Sequence, residues 1–114
     1  FATTLLDEAI EKKKREQDKL RLQLIEKLFD ALDRISKEIV FQEAYIFGSV
    51  TKPFRFTGRS DIDIGFVGLD DRLFFKMMSY LSDKTGCDVD IVQLEGHRLA
   101  DKVKREGLKW KRIN

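Results

Sequence analysis

Two aspartates spaced by one apolar residue, Asp61-Ile62-Asp63-Ile64, constrain this chain more than any other feature. The stretch from Asp61 to Val67 is apolar and β-branched enough to predict a strand. Side chains alternate along a strand, so Asp61 and Asp63 share one face while Ile62 and Ile64 point to the other. At ~3.3 Å rise per residue, the two carboxylates stand about 7 Å apart along that face. Buried together they would repel, so the pattern implies either a cation or basic groups nearby, or a half-exposed edge strand with its acids in water.

Two further stretches bear on that choice. Upstream, Ala44-Tyr45-Ile46-Phe47 predicts a short buried strand ended by Gly48-Ser49, where the glycine permits a sharp turn and the serine can cap the next element. Downstream, Asp88 to Leu94 predicts another strand, with Asp88 and Asp90 on one face and Val89 and Ile91 on the other. Two strands with same-face acids beside a Gly-Ser turn favour a cation site over an edge strand.

Gly48-Ser49, Ser60-Asp61-Ile62-Asp63-Ile64 and Val89-Asp90-Ile91-Val92 resemble the nucleotidyltransferase fold of the DNA polymerase β superfamily. The likeness runs from Glu43 to Leu94 and is strongest to the minimal nucleotidyltransferases that act as antitoxins beside a HEPN-domain toxin. It implies an α/β (α+β) fold, a small mixed sheet flanked by helices. It also implies Asp61, Asp63 and Asp90 as catalytic residues that bind Mg²⁺, two ions in all, with Asp88 the other candidate for the third acid. Gly48, Ser49, Lys52 and Ser60 would bind the nucleotide. The reaction implied moves AMP from ATP to a hydroxyl, and the acceptor implied is a tyrosine of the HEPN toxin. The chain departs from the family pattern after the serine. Val50-Thr51-Lys52-Pro53 stands where the family has a small residue and then Arg-Gly, and the spacer from Val50 to Ser60 is one residue longer than usual. Lys52 can supply an arginine's charge but not its bidentate fork. A binding antitoxin that neutralises its partner by contact, with weak or no catalysis, is therefore the second reading. A transferase for nucleic acid or a small molecule is the third.

The rest of the chain fits one domain over residues 1–114, divided into an N-terminal helix (1–40), a core (43–94) and a C-terminal helix with a basic tail (96–114). Its 114 residues suffice for a modest core. A formal net charge of +2 gives no overall pull on polyanions, so nucleic acid is not an expected partner. No apolar run reaches the ~20 residues that span a bilayer, and no signal peptide pattern opens the chain. One cysteine, Cys87, excludes an internal disulfide and fits a reducing cytoplasm.

No Gly or Pro interrupts Leu5 to Val40, and Leu20, Leu24, Ile25, Leu28, Leu32 and Ile35 form a helical stripe that should pack on the core. Glu11 to Lys19 is almost wholly charged and is either a solvated face or a partner contact. Val50 to Phe56 predicts a short helix or turn broken near Pro53, with Lys52, Arg55 and Arg59 as surface charges or triphosphate contacts. Asp70 and Asp71 open a helix with Leu73, Phe74, Met77, Met78 and Leu81 inward and Gly86 at its end. Gly96-His97 starts a last helix with Leu99 and Val103 inward. Leu108 to Ile113 is a short strand or basic tail, whose Trp110 covers a core edge or stacks on a base. Cys87 reads as a small buried residue rather than a nucleophile, and His97 as a surface or helix-start residue.

Overall fold

The computed structural model describes residues 2–53 and 62–110. The expectations placed on Phe54 to Asp61, including Arg55, Arg59, Ser60 and Asp61, and on Lys111 to Asn114 lie outside the described residues.

Helix α1 (Ala2–Ile35) comes first. It is followed by β1 (Glu43–Phe47), a single 3₁₀ turn (Ser49–Thr51) and β2 (Ile62–Val67). Then come helix α2 (Phe74–Thr85), β3 (Val89–Gln93), α3 (Ala100–Glu106) and β4 (Leu108–Trp110). The four strands form one mixed sheet in the order β3-β2-β1-β4. β1 runs antiparallel to both β2 and β4, and β2 runs parallel to β3. Parallel neighbours need a crossover, and α2 supplies it.

Alternation along the strands gives the sheet two different faces. Ile62, Ile64 and Phe66 of β2, Ala44 and Ile46 of β1, and Val89 and Ile91 of β3 are buried against the apolar stripe of α1 and against Met77 and Leu81 of α2. The opposite face is only partly covered, by a small cluster of Tyr45, Val67, Leu94 and Val103. The acids lie on this second face.

At ~1.5 Å rise per residue, the 34 residues of α1 span ~51 Å and set the long axis of a 58 × 28 × 25 Å molecule. Only its second half is buried. Leu28 and Leu32 are fully covered, whereas Leu5 and Leu6 in the charged first half are 70% and 59% exposed. The helix is already running at Ala2 and stops at Ile35, short of Val40. The stop has a packing cause. Ser36 and Ile39 close the last turn on Leu32 and Ile35, which carries Ile39 and Phe41 into the core and leaves Val40 in water. No described helix is long and apolar enough to cross a membrane.

Two C-terminal expectations need correction and one alternative is decided. The last helix begins at Ala100, because tight turns from Leu94 to His97 and from His97 to Ala100 occupy the preceding residues. Leu99 consequently faces out, at 43% exposure, while Val103 faces in as expected. His97 is exposed, and its Nδ1 accepts the backbone N–H of Leu99. Trp110 is 2% exposed, packs on Phe41 and donates its indole N–H to Asp33, so it is a core residue with no face left for a base.

Candidate functional site

On the open sheet face, strand pairing sets Phe47, Asp63 and Asp90 side by side across β1, β2 and β3. Register partners point to the same side of a sheet, and neighbouring strands lie ~4.8 Å apart, so Asp63 and Asp90 present adjacent carboxylates. Asp63 is half-buried and Asp90 exposed. Asp88 lies just before β3, and its carbonyl accepts the N–H of Ile62. Strand pairing thus distinguishes Asp90 from Asp88 as the partner of Asp63.

Gly48 ends β1 with φ 88° and ψ −158°, a conformation essentially reserved for glycine. A Cβ built on it would stand 2.6 Å from Oδ2 of Asp63. The glycine therefore both turns the chain and leaves room for the carboxylate.

Ser49 is the first residue of the turn, with Gly48 in the cap position, so the expected serine cap is absent. The turn is held instead by Thr51, whose N–H and hydroxyl both donate to the Gly48 carbonyl at 3.1 and 2.7 Å. Val50 is fully buried beneath it. One turn of three residues also carries little of the dipole that a longer helix would offer a phosphate.

A residue not singled out in the sequence supports this turn from behind. Arg21 of α1 is 6% exposed, donating from Nη1 to the Val50 carbonyl at 3.0 Å and from Nε to Asp18 at 2.7 Å. Its sequence signal is its place on the stripe of Leu24, Ile25 and Leu28, where a cation must find partners once buried.

Beside Gly48 lies a cavity of about 430 Å³ between the turn and α3. Gly48, Thr51 and Lys52 line one side, and Leu99, Lys102 and Glu106 line the other. Lys52 is exposed.

Two adjacent carboxylates on an open face repel unless a cation or a proton neutralises them, and all their donors are hard oxygens of the kind Mg²⁺ prefers. Among the described residues no group of three His, Cys, Asp or Glu side chains gathers around one point. The described part of the site thus offers two acids, Asp63 and Asp90. Cys87 is half-buried, and its pKa is pushed up by burial and, secondarily, by Asp88. That favours the protonated thiol and is opposite to what a nucleophile needs.

The family model described as polymerase beta, nucleotidyltransferase matches residues 26–109, from the last third of α1 into β4. Three solved structures share the fold, each at 22% identity over 75% of this chain. One is a toxin–antitoxin with AMP-PNP, with TM-score 0.61 and 74% of that chain covered. Another is a mutant toxin–antitoxin MntA-HpeT, with TM-score 0.60 and 74% covered. The third is the toxin–antitoxin MntA-HepT, with TM-score 0.55 and 71% covered. No curated protein is significantly similar. With the family match covering β1 to β3, the turn beside the acids and all but the last residue of β4, this chain belongs to the polymerase beta nucleotidyltransferase family.

Proposed function

We propose that this chain is a Mg²⁺-dependent nucleotidyltransferase that moves AMP from ATP to a tyrosine hydroxyl of a HEPN-domain toxin, acting as its antitoxin in the cytoplasm. Residues 1–114 act as one catalytic domain. The observation that carries the reading is the register of Asp63 on Asp90 directly beside Gly48. The family membership supports a nucleotidyl transfer, and the likeness to toxin–antitoxin structures, one with AMP-PNP, supports the partner and the nucleotide.

In this reading Asp61, Asp63 and Asp90 hold Mg²⁺, which when bound offsets phosphate charge at the reacting centre. Gly48, Ser49, Lys52 and Ser60 bind the triphosphate, with Lys52 as a point charge. Asp90, at the exposed end of the row, orients the incoming hydroxyl and takes its proton. The hydroxyl oxygen bonds to the α-phosphorus, the bond from that phosphorus to the bridging oxygen breaks, and pyrophosphate leaves. An in-line displacement requires the incoming hydroxyl and the departing pyrophosphate on opposite sides of the α-phosphorus, and the register of Asp63 with Asp90 supports placing the hydroxyl on the Asp90 side.

One observation favours the second reading, a contact antitoxin with little catalysis. The turn after Gly48 is a single three-residue turn, and Val50-Thr51-Lys52-Pro53 stands where the family has a small residue and then Arg-Gly. The two readings separate when the protein is incubated with Mg²⁺, α-labelled ATP and the purified toxin. Label on the toxin that is lost in the Asp61→Asn/Asp63→Asn protein supports transfer. A tight complex without label under any nucleotide supports contact alone.

A further inference from the structure

We propose that Lys102 of α3 is a second phosphate-binding cation of the nucleotide site, gripping the outer phosphates of ATP from across the cavity. The proposal rests on the nucleotide reading above and adds to it a residue no motif marks.

The cavity beside Gly48 has two walls from separate parts of the chain. One is the Gly48–Lys52 turn and the other is α3. Each wall contributes one lysine, Lys52 and Lys102. Both are exposed, and neither forms an ion pair among the described residues. Two lysines on long flexible stems that line one concave space, with Glu106 as the one acidic side chain among the lining residues, can close on an anion from opposite sides. The cavity adjoins the Asp63 carboxylate through Gly48. A triphosphate with its α-phosphate near Asp63 would therefore extend its β- and γ-phosphates between the two lysines. Leu99, left 43% exposed, belongs to the same wall and gives the cavity an apolar flank.

The plainer alternative is that Lys102 serves only α3. Its i+4 neighbour Glu106 also lines the cavity, and such a pair would stabilise the helix slightly. That order, with lysine preceding glutamate, is the weaker one.

Titration calorimetry of ATP and of AMP, in Mg²⁺, against wild type, Lys102→Ala, Lys102→Arg and the control Lys104→Ala decides between them. Loss of a charge-assisted contact predicts ATP affinity about tenfold weaker in Lys102→Ala. AMP affinity should change less than about twofold, Lys102→Arg should recover most of the loss, and Lys104→Ala should match wild type. ATP binding by Lys102→Ala equal to wild type overturns the proposal and leaves the nucleotide reading intact. Equal losses for ATP and AMP overturn it too, since the contact would then not be to the outer phosphates. Wild-type protein that binds neither nucleotide overturns both.

Discussion

The Asp63 carboxylate occupies the space in which any side chain on Gly48 would begin, with Oδ2 2.6 Å from the ideal Cβ position. Backbone turn and acidic strand are therefore fitted to each other. Gly48→Ala has to strain a backbone at φ 88° and displace the carboxylate as well. The strain alone costs on the order of 1–3 kcal/mol. The expected result is a thermal midpoint several degrees lower and transfer activity reduced by far more than that loss of stability explains. Thermal unfolding and label transfer, measured on the same preparation, check both parts.

Arg21 links the helix to the turn. Arg21→Met keeps the length of the side chain but removes the hydrogen bond to the buried Val50 carbonyl, at a cost of roughly 1–3 kcal/mol. Arg21→Lys offers one ammonium where the guanidinium serves Asp18 and Val50 together, so it should recover only part of the loss. Urea unfolding of the three proteins gives the order wild type, Lys, Met.

Trp110 ties β4 to α1 through its 2.6 Å hydrogen bond to Asp33. Trp110→Phe preserves most of the apolar contact with Phe41 but abandons that bond, which should cost about 1–2 kcal/mol. Denaturant midpoints report it, and Asp33→Asn should lose less, because an amide oxygen still accepts the indole N–H.

Alkaline stability has a defined sign. Tyr45 is buried and donates its hydroxyl to Glu43, and burial first, then Glu43, pushes its pKa up to about 12. Unfolded tyrosine loses its proton near pH 10. The stabilisation is complete below that pH and disappears as the pH rises toward 12. Chemical denaturation between pH 9 and 12 should therefore show a decline that Tyr45→Phe flattens. Glu43 works in the opposite direction. Its hydrogen bond from Tyr45 lowers its pKa, so its contribution holds above the ordinary carboxylate range and fades as acid is added.

The legible parts of this chain were those where one residue's type carries the geometry. The faces of Asp63 and Asp90 and the turn at Gly48 could be read because strand alternation and a glycine-only turn are set by local sequence, whereas the choice of Asp90 over Asp88 came from the family resemblance. The sheet order could not, since it depends on β4 returning beside β1, and Leu108-Lys109-Trp110 is too short to give a pattern. The end of α1 at Ile35 was hidden for a different reason. Tertiary burial of Ile39 and Phe41 stops the helix where no Gly or Pro marks it. Arg21 and Lys102 acquire meaning only when α1 and α3 are brought to the turn, so linear spacing could not single them out.

The most direct test of the central claim separates binding from chemistry at Asp90. Wild-type and Asp90→Asn proteins would be compared for ATP affinity and for the rate of AMP transfer to the toxin in Mg²⁺. Asp90 is exposed on the edge strand β3 and is the residue proposed to take the acceptor's proton, so the predicted result is a rate at least about 100-fold lower with ATP affinity changed less than about threefold. Transfer by Asp90→Asn at the wild-type rate would contradict the account.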